Sequence, residues 1–478
     1  MPRMAISPFS FNPASRSLPP YSLTLIKLCK SHLGNSSKLK RVFFLVARQR
    51  LSKLIFTLTP ASVDCTRFGV GSHFSFLISP FSFPKMAISS KIFKGDPTIW
   101  VVYFFLCIIS IVEVFSAGSS LAYKSGNFFA PLIKQVSFLG VGTIVVLIVS
   151  RIPCRFFKLF PLFLLPISLI LLFITLFFAE ATNDGSRWLE LGPISFQPSE
   201  VAKCAMILYT ALILSSMQRE DEAQPKAFKY IMIPTAIVCG LIFSENFSTA
   251  CLLFGVIMMM MFVGRIPLKK FGQIIGFFVA VAFTIVLATK ALPKDFVDDI
   301  SFLHRADTWV SRIDNFTESS DDDPKNYDLK ENAQVGTANI AIATCNIVGL
   351  MPGNSVQRDY LSQAYSDFIF AIIIEELGIW GATLVVFFYI VLIFRAWRIA
   401  TRCGTLFPAF LIIGLAFMLT SQAIINMMVA VGLFPVTGQP LPLISRGGTA
   451  MIIFCFYFGM MLSVSISAKK TEELPAQS

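Results

Sequence analysis

The sequence predicts an all-α integral membrane protein of about ten transmembrane helices, with one large extracytoplasmic loop between the seventh and the eighth. Three observations carry that reading. Of 478 residues, 55% are hydrophobic, 49 are Phe and only 14% are charged, where soluble domains carry about a quarter. Apolar runs recur along the chain, each near the roughly 20 residues that a bilayer core demands. Between them, the Lys and Arg residues fall in alternate connections.

The runs cover residues 99–117, 131–150, 158–178, 199–216, 230–244, 248–264, 271–290, 367–394, 406–432 and 447–467. The fifth and sixth are short and parted only by Ser244-Glu245-Asn246-Phe247. The eighth is long enough to require tilt or a first turn in the interface. Lys91 and Lys94 precede the first run, and Arg151, Arg155 and Lys158 follow the second. Arg219, Lys226 and Lys229 follow the fourth, and Arg265, Lys269 and Lys270 the sixth. Arg395, Arg398 and Arg402 follow the eighth, and Lys469 and Lys470 the tenth. Cytoplasmic loops carry the Lys/Arg excess, so both termini are expected inside. The large loop, 292–366, has 12 Asp/Glu against 6 Lys/Arg, the opposite bias.

The net charge of +12 is not a signal for nucleic acid, because residues 1–85 hold 12 Lys/Arg against Asp64 alone. That segment has no sustained period, and its best apolar run, 42–47, is too short to span. It is expected to be a disordered extension or an upstream mis-start, with the membrane domain at 86–470 and a short cytoplasmic tail at 471–478. The ten cysteines include Cys107, Cys204, Cys239, Cys251 and Cys455 standing singly in apolar runs, with no metal-ligand spacing, and only three His occur; neither a disulfide framework nor a zinc or histidine site is indicated.

Two outer loops carry unusual sequence. Residues 184–200 combine a short amphipathic stretch with a helix start at Pro198 and Ser199 and an acid, Glu200, in the first turn; the loop is expected to fold back on the membrane surface. Residues 432–448 are apolar but broken by Pro435, Pro440, Pro442 and several glycines. Irregular backbone at that depth is tolerated only when buried in protein or lining a cavity.

The acids at the eighth run attract most attention. Asp367 stands at its mouth, and Glu375 and Glu376 lie about two turns inside. A carboxylate in or beside hydrocarbon is costly, and its default reading is a functional site. Asp367 also suits an N-cap, where an Asp satisfies free amides, so the residues alone leave cap and base open. Lys203 on the fourth run is the expected structural partner of Glu376, with an internal pair to Glu200, three residues before it, as the alternative. The run Asp321-Asp322-Asp323 before Pro324 reads as a solvated acidic turn.

In three places, the chain resembles the SEDS family of bacterial cell-wall synthesis proteins, the FtsW/RodA/SpoVE type. The first is Gly185-Ser186-Arg187-Trp188 through Gln197-Pro198-Ser199-Glu200. The second runs from Pro352-Gly353-Asn354-Ser355 through Ser366-Asp367-Phe368 to Glu375-Glu376-Leu377-Gly378. The third runs from Gly432-Leu433 through Gly438-Gln439-Pro440-Leu441-Pro442-Leu443-Ile444-Ser445. The resemblance implies a peptidoglycan glycosyltransferase that polymerises lipid II, an undecaprenyl-pyrophosphate-linked disaccharide-pentapeptide, on the outer face of the bacterial cytoplasmic membrane. It implies a class B penicillin-binding protein as transpeptidase partner, with other division proteins, and places the family's essential acid on Asp367. Phe243–Ala250 and Arg446-Gly447-Gly448-Thr449-Ala450 depart from the usual pattern. A division-type polymerase is the expected reading, with an elongation-type polymerase or a lipid II flippase as alternatives.

Such a transfer needs a base for the acceptor hydroxyl and cations for the diphosphate. Asp367 is the expected base. Arg187 and Arg305, with Arg312 behind them, are expected at the diphosphate, since guanidinium binds phosphate bidentately; Trp188 belongs to the same motif. Gln334 and Gln357 are candidates for sugar or amide groups, and Lys203 and Glu376 for support. No cofactor is required, although a divalent cation, Mg2+ or Mn2+, held by Asp367 and the donor's phosphates is compatible with how Mg2+ binds.

Overall fold

A computed structural model describes residues 93–118, 129–178, 189–191, 194–218, 223–267, 269–273, 276, 333–345, 347–361, 364–446 and 448–473. All belong to the second of the two units into which the chain divides, residues 85–478. The extension read over 1–85, nearly all of the seventh apolar run and loop positions 292–332 lie outside the described residues.

The described chain is a multi-pass helical membrane protein. Its helices are α1 (Pro97–Ala117), α2 (Ala130–Arg151), the single turn α3 (Cys154–Phe157), α4 (Phe160–Phe178), α5 (Pro198–Ser216), α6 (Pro225–Glu245), α7 (Phe247–Val263), α8 (Ala333–Thr344), α9 (Ile369–Ala400), α10 (Leu406–Ala430) and α11 (Thr449–Glu473). Nine of the ten apolar runs are therefore helices. Seven of these are long and apolar enough to cross a membrane, and α4 and α7 hold shorter apolar stretches. A short antiparallel hairpin, β1 (Leu189–Leu191) with β2 (Ile194–Phe196), leads into α5 in the register Leu189 to Phe196.

Local sequence explains the helix starts. Asp96 caps α1, its Oδ1 accepting from the amides of Thr98 (2.9 Å) and Ile99 (3.4 Å), with Pro97 next. Pro198 opens α5 with Glu200 in its first turn. Asn246 alone separates α6 from α7; extended at φ −156°, it accepts from the amides of Ser248 (3.0 Å) and Thr249 (3.3 Å).

Small residues let helices approach, as is common where lipid removes the hydrophobic drive between them. A Cβ on Gly142 of α2 would stand 2.5 Å from Cys455 Sγ of α11, and one on Gly459 of α11 2.8 Å from Val149 Cβ of α2. Gly414 of α10 likewise faces Met260 of α7. At the end carrying the Lys/Arg excess, Arg395 of α9 donates to Asp96 Oδ2 through Nε (2.8 Å) and Nη2 (2.6 Å), and the Asp96 amide donates to Ser465 Oγ of α11 (2.9 Å). One acid thus ties three helices together at the end away from Asp367.

Two boundaries differ from the sequence reading. Inside the stretch read as the large loop, α8 forms a helix that stops at Thr344, and the chain beyond it turns to bond α9. And α9 is not one regular helix: Gly378 has φ 70° and ψ −169°, which breaks it nine residues after its start. The helix then runs to Ala400, so Arg395 and Arg398 belong to it rather than to the connection.

Candidate active site

Asp367 lies in a turn, residues 364–368, just before α9. Phe368, fully buried, takes the N-cap position, and no side-chain cap bond is made there. The capping alternative for Asp367 is thus not what the structure adopts. The carboxylate is half-buried, and its Oδ1 accepts from Ser366 Oγ at 3.0 Å.

The backbone of this turn is fixed with unusual completeness. Three successive carbonyls each have a partner from elsewhere in the chain. The carbonyl of Tyr365 accepts from the Arg446 amide (3.0 Å), that of Ser366 from Ser445 Oγ (2.6 Å), and that of Asp367 from Asn426 Nδ2 (2.8 Å). All three peptide planes around the acid are held, which orients the side chain without using it.

Two of those donors come from the irregular segment before α11. Its Gly438 and Leu443 both have positive φ, at 66° and 64°, and Leu441, Leu443, Ile444 and Ser445 are buried. Its carbonyls are bonded by side chains of surrounding helices: Gln439 by Asn426 Nδ2 (2.8 Å), Pro440 by Gln422 Nε2 (3.1 Å), Pro442 by Tyr389 Oη (2.5 Å) and Ile444 by Ser110 Oγ (2.9 Å). Gln439 Nε2 in turn donates to Thr249 Oγ1 of α7 (2.6 Å). In hydrocarbon an unbonded peptide group is costly, so such backbone survives only with these partners.

Lys203 extends this network. It is fully buried, pairs with Glu200 at 2.6 Å and donates to Gln422 Oε1 at 3.0 Å. A chain of contacts therefore runs from α5 through α10 to the Pro440 carbonyl. The expected pairing of Lys203 with Glu376 is corrected: the local acid, three residues away, satisfies the lysine, while Glu376 faces α1 instead.

Glu375 and Glu376 hold a loop. The amides of Leu350 and Met351 donate to the carbonyls of Glu375 (2.9 Å) and Glu376 (2.8 Å) where Gly378 interrupts the helix. The Glu375 carboxylate takes Ser355 Oγ (2.5 Å) and the amides of Val356 (3.0 Å) and Gln357 (3.3 Å). Glu376 accepts from Ser116 Oγ of α1 and from the Ser355 amide (3.3 Å), with Arg358 Nη1 at 4.0 Å. Both acids are buried, at 1% and 0% exposure, so they bind loop amides rather than face solvent. Glu113 of α1, also fully buried, lies within electrostatic range of Glu376.

Of the other expected site residues, Arg187, Trp188, Arg305 and Arg312 lie outside the described residues. Gln334 is exposed at the start of α8. Gln357 sits in a single 3-10 turn (Gln357–Asp359) with its amide on Glu375, not on Asp367. Among the described residues, no group of three His, Cys, Asp or Glu side chains is disposed to hold a metal.

Sequence reading passed over Gln422, Asn426 and Tyr389, which bind the two segments of the site. A signal existed: Gln422 and Asn426 are four apart in an otherwise apolar run, hence on one helix face.

The family model described as "Cell cycle protein", FtsW/RodA/SpoVE, matches residues 97–470. The chain belongs to the FtsW/RodA/SpoVE family. It is 29% identical over 376 residues to the "Probable peptidoglycan glycosyltransferase FtsW" of Coxiella burnetii, covering 77% of this chain and 95% of that protein. It is 27% identical over 382 residues to the "Peptidoglycan glycosyltransferase MrdB" of Escherichia coli K12, covering 78% and 94%. Its fold is similar to a chain from a solved peptidoglycan synthase complex that coordinates polymerization and crosslinking, with TM-score 0.61, 21% identity, and coverage of 80% and 99%. The family's membrane domain thus accounts for the described helices, and Asp367, the α10 amides and the segment before α11 all fall within it.

Proposed function

We infer that this chain polymerises lipid II into glycan strands, with Asp367 as the general base. That it is a peptidoglycan glycosyltransferase follows from its family. The observation that carries the role of Asp367 is the half-buried carboxylate on a turn whose three carbonyls are each bonded from α10 or the segment before α11.

Chain growth transfers one sugar anomeric carbon from a diphosphate to the hydroxyl of another sugar. The new C–O bond forms as the bond to the lipid diphosphate breaks, and the hydroxyl proton passes to a base. A carboxylate on a turn held by its backbone can accept that proton; such a base contributes about 10²–10⁴-fold. Arg187, Arg305 and Trp188 supply contacts to the diphosphate and sugar of the lipid, and Gln334 and Gln357 contacts to its polar groups. Lys203 and Glu376 act by support: the first steadies the segment before α11, the second the loop at 350–358.

The Lys/Arg distribution supports cytoplasmic termini and a site on the outer face of the bacterial cytoplasmic membrane. The chain acts in cell division, beside a class B penicillin-binding protein and other division proteins; similarity to FtsW proteins supports the division branch. The test is polymerisation of purified lipid II in the presence of the partner. Wild type makes glycan, and Asp367→Ala makes none while still folding and binding that partner. Normal polymerisation by the variant would remove Asp367 from the chemistry. A wild type that moves lipid II across vesicles without polymerising it would make the chain a transporter.

A further inference from the structure

We infer that Arg446 binds the diphosphate of the lipid-linked substrate beside Asp367. This rests on the glycosyltransferase reading for the identity of the ligand, but not for the binding itself.

Arg446 is placed by the same hydrogen bonds that place the acid. Its amide donates to the Tyr365 carbonyl (3.0 Å), next to the Ser445 bond on Ser366 and the Asn426 bond on Asp367. Two residues of extended chain span at most roughly 7 Å, so the anchor point of the arginine is a short step from that of the carboxylate. The guanidinium carbon stands 5.4 Å from the centre of the Tyr365 ring. That cation–π contact holds the guanidinium over the ring. It leaves the N–H edges unspent: among the described residues, the Arg446 side chain has no hydrogen bond and no carboxylate within 4.0 Å, whereas Arg395 and Arg358 both have acids near them. The side chain is partly exposed.

A planar cation held over a tyrosine ring, with N–H donors unspent and no acid within 4.0 Å among the described residues, suits an anion with paired oxygens. Guanidinium binds phosphate oxygens bidentately in this way, and charge-assisted bonds of that kind are about twice as strong as neutral ones. Two sources of phosphate reach this depth, the lipid-linked diphosphate and the headgroup of an anionic phospholipid. The shared anchoring with Asp367 favours the first, because any movement of the turn carries acid and cation together. Binding the diphosphate there brings the scissile bond to the base.

The experiment uses the full chain in nanodiscs of neutral phosphatidylcholine, with lipid II as the probe. Equilibrium binding is measured in the Asp367→Ala background, so that no turnover intervenes, with Arg446 intact, as Arg446→Lys and as Arg446→Ala. Loss of a bidentate charge-assisted contact predicts that Arg446→Ala weakens lipid II binding roughly tenfold or more. Arg446→Lys, which keeps the charge but not the fork, falls between. With Asp367 intact and the partner transpeptidase present, the Arg446→Ala effect appears mainly in KM, with kcat little changed. Unaltered lipid II binding and KM in Arg446→Ala would overturn the inference, as would an effect seen only when phosphatidylglycerol is present, which would assign the residue to headgroups. Should Arg446→Ala fail to fold, Arg446→Lys and Arg446→Gln, checked by thermal unfolding, carry the same comparison. The two readings separate cleanly. Glycan made by wild type with no dependence on Arg446 leaves the enzyme and removes this site; Arg446-dependent lipid II binding without polymerisation leaves this site and removes the enzyme.

Discussion

The two ends of one stretch of chain, Asp367 and the pair Glu375 and Glu376, look alike in sequence and differ in every structural respect. Asp367 sits before the helix, half-buried, its segment is held through main-chain carbonyls, and its Oδ1 accepts from Ser366. Glu375 and Glu376 lie inside the helix, almost fully buried; both oxygens of Glu375 accept from the loop at 350–358, and Glu376 accepts through Oε1 from the Ser355 amide and from Ser116 of α1. The difference teaches that an acid in an apolar run is informative only once its acceptor oxygens are followed. Glu375 and Glu376 fix a loop through their carboxylates, whereas the turn of Asp367 is fixed through its main chain.

The strongest way to break that comparison is to neutralise each side in turn. Asp367→Asn is expected to lower lipid II polymerisation by about 10²–10⁴-fold with thermal stability near wild type, measured by glycan gel and by unfolding in detergent. If stability collapsed while the residual rate stayed high, the two regions would have to exchange roles. Next in size is Gly378→Ala. Its φ of 70° with ψ −169° suits glycine, and an added Cβ would meet the Ile347 carbonyl and, at 2.6 Å, the Gly349 amide. A loss of roughly 3 kcal/mol in unfolding free energy is expected, with the loop at 347–351 freed from α9.

Glu375→Gln should show the opposite profile to Asp367→Asn. It removes a charged acceptor of three bonds and is expected to cost about 1.5–3 kcal/mol, with faster amide exchange at Val356 and Gln357; an unchanged exchange rate there would deny the loop-holding role. Asn426→Ala tests the other end more gently. It unbinds the carbonyls of Asp367 and Gln439 together, for an expected loss of about 1–2 kcal/mol and a slower kcat with KM nearly constant.

The smallest effect concerns a region outside both. Cys403, in the connection between α9 and α10, donates to the Ile399 carbonyl at 3.3 Å, and burial pushes its thiol up to about 12. The reactive species is the thiolate, so at pH 8 this cysteine should label far more slowly with maleimide than an exposed one, and the rate should climb as pH rises toward that value. Rapid labelling of Cys403 at pH 8 would show that this connection opens.

Much of the fold was readable in the sequence because lipid imposes it. Backbone groups must bond within each span, and a span needs a fixed length of apolar residues, so composition and run length alone locate nine of the described helices. The helix starts at Asp96, Pro198 and Asn246 follow from short-range capping and were equally accessible. The site was only half readable. Asp367 stood out because a carboxylate at an apolar mouth is costly. Its neighbours in space did not, since Ser445 and Arg446 are 78 and 79 positions further on, and Asn426 is 59.

By itself, then, the sequence determined a multi-pass helical membrane protein, the family to which it belongs and the acid at the head of the eighth run, because hydropathy, charge placement and local motifs act over neighbouring residues. Only the tertiary structure decided that Asp367 stands on a turn held by its carbonyls while Glu375 and Glu376 are buried against a loop, that Lys203 pairs with Glu200 and Gln422 rather than with Glu376, and that Arg446 stands over the ring of Tyr365, two residues before Asp367. Those choices depend on which donors meet which acceptors when distant segments pack, and no local pattern records that.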